Sequence, residues 1–113
     1  LMFARLCKLK GARVIVAGRN PIKLKLAEEF AHADEIVDLK KYSNPEIIFK
    51  DFSDEKKGLD VAIECVGMPE IWELIFSCVT FCNHFLCGIQ QFVCYANQVL
   101  KCALTQQKCI MAI

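Results

Sequence analysis

Beyond Glu73 this 113-residue sequence contains neither aspartate nor glutamate, and all thirteen acidic residues lie at or before that position. Only Lys101 and Lys108 carry charge in the remaining part. An ordinary cytosolic domain mixes both signs throughout, so the chain divides near residue 73 into two unlike pieces, 1–73 and 74–113. Net charge is only +1, which removes the strong field expected of a protein that binds nucleic acid or an acidic surface. No basic n-region leads an apolar run, so no signal peptide is read. Position 1 is Leu rather than Met, which suggests a chain whose beginning is missing. The length fits one domain or part of one.

What is present before residue 73 alternates between two periods. Met2, Leu6 and Leu9 recur at helical spacing, and Gly11 follows as a left-handed cap, so residues 1–10 read as the end of a helix. Arg13 to Ala17 is a continuous apolar run of the kind covered on both faces in a parallel sheet. Asn20 and Pro21 make an N-cap and a first helical residue. The helix they open runs to about Phe30, with Ile22, Leu26 and Phe30 stacked along it. Glu35 to Leu39 reads as a strand, Asn44-Pro45 opens a short helix with Ile47, Ile48 and Phe52, and Asp60 to Cys65 is a further buried strand closed by Gly67 and Pro69. Strands alternating with helices predict parallel crossovers and a doubly wound α/β sheet. Cys7 and Cys65 sit in apolar settings that suggest buried free thiols.

The stretches "LMFARLCKLKGARVIVAGRNPIKLKLAEEF", "ADEIVDL" and "GLDVAIECVGMPE" together resemble the cofactor-binding domain of the medium-chain dehydrogenases, the zinc-type alcohol and polyol dehydrogenases. In that family a first strand and a glycine-rich loop lead into a helix resembling Leu1 to Lys10. The resemblance therefore implies an incomplete Rossmann-like sheet lacking its first strand, with one strand edge left unpaired. It implies a fragment of an NAD(P)-dependent oxidoreductase, a cytoplasmic enzyme whose parent is a homo-oligomer and whose catalytic domain, zinc ligands and proton relay lie outside this chain. No catalytic or metal-ligating residue is assigned. The chain alone is expected to be inactive, poorly soluble and without micromolar affinity for NAD(P)H.

The resemblance also points to cofactor-binding positions: Gly18, Arg19 and Asn20 after one strand, and Cys65, Val66 and Gly67 after another, at the carboxyl ends where open sheets bind ligands. An NAD-preferring member carries an acidic residue where Gly18 stands. A carboxylate there would repel a 2′-phosphate, whereas Arg19 can pair with phosphate oxygens in a forked geometry, so NADP(H) is favoured over NAD(H). Two departures stand out. Ala31-His32-Ala33-Asp34 replaces a Gly-Ala-Asp turn and is one residue longer, leaving His32 as an exposed loop residue. After Pro69-Glu70 there is no Gly-Gly turn and no recognisable further strand.

The tail admits several readings. Cys78, Cys82 and Cys87 with His84 lack the paired Cys-x-x-Cys spacing of a zinc site. Leu74 to Leu100 is uncharged and long enough to span a bilayer, so a small non-enzymatic membrane-attached or interaction protein is the alternative function. Asn83-His84 and Gln90-Gln91 interrupt that stretch and count against a span. A shifted reading frame, a retained intron or a truncated gene would explain the abrupt change of composition and the six scattered cysteines. An ordinary, divergent helical C-terminus is the remaining reading.

Overall fold

The computed structural model describes residues 1–52, 59–87 and 108–112. In chain order they form α1 (Met2–Leu9), β1 (Arg13–Gly18), α2 (Pro21–Glu29), β2 (Glu35–Asp38), α3 (Pro45–Phe52), β3 (Leu59–Glu64), α4 (Pro69–Cys78), β4 (Val79–Cys87) and β5 (Lys108–Ala112). The elements up to β3 stand where the sequence predicts them. Their boundaries follow local chemistry. Gly11, at φ +85°, ends α1 in the left-handed region that a residue with a Cβ adopts at a cost. The Asn20 side chain accepts the Ile22 and Lys23 amides at 3.0 and 3.3 Å, satisfying two donors that the first turn of α2 leaves unpaired. At the other end of α2 no glycine is available. His32 takes the left-handed conformation instead, at φ +53°, and the turn closes through the Ala33 amide on the Ala27 carbonyl at 3.1 Å. The longer turn thus keeps the function of the glycine cap that the sequence lacks, and His32 is exposed as expected.

The helix faces differ from the sequence reading. Met2 and Leu9 are 76% and 66% exposed, and α1 buries Ala4 and Cys7. On α2 the stripe Ile22, Leu26 and Phe30 faces outward, while Leu24, Ala27 and Ala31 are buried. Apart from Leu24, the residues that α1 and α2 bury are small, which lets these two helices sit close on the sheet. Cys7 is buried as expected, but Cys65 is exposed because it lies just past the end of β3.

Two clusters cover the two faces of the sheet. Ala4, Cys7, Leu24 and Ala27 pack with Val14 and Val16 of β1 and Val61 and Ile63 of β3. Phe49, Ile71 and Ile75 from α3 and α4 pack with Ile15, Ala17, Val37 and Ala62 on the opposite face. The alternation along β1 assigns successive residues to opposite layers, as the strand period requires. Full burial of Phe49 and Ile75 stabilises the second layer by about 1.5–3 kcal/mol each.

The sheet is five-stranded with order β2-β1-β5-β3-β4, and every pair is parallel. Two of its strands come from the tail. The sequence shows no strand after Pro69-Glu70, yet α4 runs across residue 73 and leads directly into β4, which pairs with β3 from Leu59↔Val79 to Glu64↔Cys87. The second, β5, lies between β1 and β3, with Ile110 opposite both Ile15 and Ala62. The unpaired edge expected of a sheet without a first strand is therefore occupied by the chain's own tail. Of the uncharged stretch Leu74 to Leu100, the described part is the end of a helix and a sheet strand, and residues 88–100 lie outside the described residues. No described helix is long and apolar enough to cross a membrane.

At the amino edge of the sheet, Asp34 ties three elements together. Its carboxylate accepts from Lys8 Nζ of α1 at 2.8 and 2.9 Å and from the Val14 amide of β1 at 2.7 Å, while its own amide donates to the Val14 carbonyl at 2.9 Å. Partial burial pushes the Asp34 carboxyl upward, but the Lys8 and Val14 hydrogen bonds and the charges of Lys8 and Arg13 outweigh it and hold the group below its ordinary value.

Two outcomes follow from this architecture. Ile110→Pro removes an amide donor from a strand paired on both sides and orphans a buried acceptor, so stability should fall by about 1–3 kcal/mol or more, read as a lower melting temperature by circular dichroism. Because the Asp34 value is lowered on folding, its contribution is fully present above the unfolded carboxylate value, about pH 4, and is lost as pH falls through the folded one. Solvent screening limits it to about 1 kcal/mol. Melting temperature measured against pH should therefore drop less steeply below about pH 4 in Asp34→Asn than in the wild-type chain.

Candidate functional site

Parallel strands bring all their carboxyl ends to one edge of the sheet, and the loops that follow them line whatever crevice opens there. Here the chain builds outward from β1 to β2 on one side of β5, and from β3 to β4 on the other. The direction of winding reverses between β1 and β3, which is where a crevice is expected. A cleft of about 490 Å³ opens at this edge. One wall is Arg19, Asn20, Pro21, Ile22 and Lys23, from the end of β1 into the first turn of α2. Leu39 and Lys40, just after β2, form a second wall, and Val66, Met68 and Ile71, from the β3–α4 turn, a third.

Of the six positions singled out in the sequence, the cleft brings Arg19, Asn20 and Val66 together. Gly18 is the last residue of β1, and its carbonyl accepts the Leu39 amide at 2.9 Å, so it fixes the spacing between two walls. The Asn20 side chain is engaged in capping α2. Cys65 is exposed beside the cleft, and Gly67 follows at φ +81°, a conformation that favours glycine and turns the chain back toward α4. Both the Val66 and Gly67 amides donate to Oε1 of Glu64, the latter at 2.5 Å, so this carboxylate shapes the turn from beneath.

Chemically, the cleft combines apolar walls with three cations. Ile22, Met68 and Ile71 offer flat hydrocarbon surface, and Arg19, Lys23 and Lys40 offer donors without an accompanying carboxylate among the lining residues. Asp38 faces the neighbouring depression with Lys41 and Tyr42, and its Oδ1 accepts the Lys40 amide at 3.0 Å. This composition suits an aromatic heterocycle carrying anionic substituents. Lys23, Lys40 and Met68 are not singled out by the sequence, and Glu64 stands out there only as part of a strand pattern. Lys23 was signalled indirectly, since it lies in the first turn of a helix whose cap was legible. Lys40 and Met68 come from separate loops, and only the strand order brings them to Arg19. Among the described residues, no group of three or more His, Cys, Asp or Glu side chains is placed to hold a metal ion. The side chains of Cys78, Cys82, His84 and Cys87 lie outside what is described, as do residues Cys94 and Cys102.

Comparison with known proteins places this geometry in context. The family model described as zinc-binding dehydrogenase matches residues 1–88, from α1 through the end of β4. D-arabinitol dehydrogenase 1 of Uromyces fabae is 38% identical over 74 residues, covering 63% of this chain and 21% of the relative. The chain thus spans about one fifth of the length of that curated relative. No solved structure matches significantly. The chain belongs to the zinc-binding dehydrogenase family.

Proposed function

We propose, from that membership and from the cleft, that this chain is the cofactor-binding part of an NAD(P)-dependent alcohol or polyol dehydrogenase and that it prefers NADP(H). The observation that carries the reading is the cluster of Arg19, Lys23 and Lys40 around a cleft in which β1 ends at Gly18 rather than at a carboxylate. In this reading the adenine lies between Ile22 and Met68, and the 2′-phosphate meets the Arg19 guanidinium, with Lys23 and Lys40 adding charge. The parallel sheet with helices on both faces serves as a Rossmann-like platform, and the turn at residues 65–67 supports the ribose side of the ligand. The nicotinamide, when bound, exchanges hydride with the alcohol carbon of the substrate. This chain's own residues bind and orient the adenosine half. The described residues do not fit a zinc ion, so no step is derived through one; zinc ligands and substrate pocket belong to the catalytic domain of the parent enzyme.

Adenosine 2′,5′-bisphosphate and AMP separate the two halves of this proposal when titrated calorimetrically into the chain up to millimolar concentration, the range in which a chain without micromolar affinity still binds. The bisphosphate should bind more tightly. Arg19→Ala removes one charge-assisted phosphate contact, about 1.5–3 kcal/mol, and should raise the bisphosphate dissociation constant about tenfold or more while leaving AMP nearly unchanged. Equal weakening of both ligands would show that Arg19 does not read the 2′-phosphate.

A further inference from the structure

Glu64 is the only fully buried charged residue among the described side chains, at 0% exposure, and it ends the strand that leads into the cleft. A carboxylate costs several kcal/mol to remove from water unless donors surround it. Here one oxygen collects two successive backbone amides, those of Val66 and Gly67. That arrangement closes a tight turn in which Gly67 takes a positive φ and Val66 and Met68 reach the cleft wall facing Arg19. An apolar residue at position 64 would bury as well on the sheet, but would leave both amides without this acceptor. The strand's apolar packing does not call for a carboxylate here, and its two bonds to the Val66 and Gly67 amides tie it to the shape of the turn.

We infer, resting on the nucleotide-binding reading above, that Glu64 is a positioning residue that holds the 65–67 turn in the shape that builds the apolar wall of the nucleotide cleft. It acts through Val66 and Met68 and touches no ligand itself. Its effect falls on the part of the ligand that adenosine 2′,5′-bisphosphate and AMP share. Loss of Glu64 consequently weakens both ligands by one factor and leaves the 2′-phosphate preference intact, which is the opposite signature to loss of Arg19.

The test titrates both ligands into the wild-type chain and into Glu64→Gln and Glu64→Ala, with melting curves recorded for each variant. Glu64→Gln keeps an acceptor oxygen in place and should bind both ligands within about threefold of wild type. Glu64→Ala should weaken both by about tenfold, after correction for the folded fraction, with an unchanged ratio between them. Gly67→Ala strains the same turn from its other side and should reproduce the common loss even if Glu64→Ala does not fold. Wild-type affinities in folded Glu64→Ala overturn the inference, as do wild-type affinities in Gly67→Ala where Glu64→Ala fails to fold. Loss confined to the bisphosphate also overturns it. A wild-type chain that binds neither ligand overturns the nucleotide reading itself, and this inference with it.

Discussion

The parallel ladder that seats β5 between β1 and β3 is the constraint on which the rest of the molecule depends. Among the described residues, β1 pairs with β2 and β5, and β3 pairs with β4 and β5; no ladder joins β1 to β3 directly. Five residues near the end of the chain therefore unite two half-sheets, one carrying Arg19 and Lys40 and the other carrying Val66 and Met68. The packing on the two faces depends on the same register. Val14 and Val16 meet Val61 and Ile63 in one cluster only because the intervening strand holds β1 and β3 a fixed distance apart. In the doubly wound order 3-2-1-4-5, the position between the second and fourth strands belongs to the first. β5 stands in that position here.

Local chemistry made half of this legible in the sequence. Asn20-Pro21, Gly11 and the apolar run of β1 each carry their structural instruction within a few residues, and each appears in the fold as read. The faces of α1 and α2 differ from the sequence reading because their large apolar residues dominate the helical period, whereas their contact with the sheet is made mainly by small ones such as Ala4, Cys7 and Ala27. His32 was recognised as exposed but not as a left-handed cap, since histidine adopts that conformation only when the surrounding turn demands it. β4 and β5 were missed for a different reason. A short apolar run has no period that separates strand from buried helix, and its place is decided by partners distant in sequence. Ile110 pairs with Ile15, 95 positions earlier in the chain, and nothing near it announces that pairing.

The site was half legible for the same cause. Arg19 and Val66 could be singled out because they directly follow recognisable strands. Lys40 and Met68 became part of the site only when strand order placed three loops at one edge. Glu64 was hidden inside a strand pattern, where its burial and its grip on two amides were invisible. Membership of the zinc-binding dehydrogenase family and the cationic, apolar cleft are the two observations that support the proposed binding of the adenosine half of a nicotinamide cofactor.

Amide hydrogen exchange at Ile110 and Met111 tests the central claim most directly. A strand hydrogen-bonded on both sides opens only with the sheet. These two amides should therefore exchange as slowly as those of Val16 and Ile63, protected on the order of a thousandfold or more. Exchange at the rate of an unstructured peptide, with β1 and β3 still protected, would show that the tail does not hold the two half-sheets together.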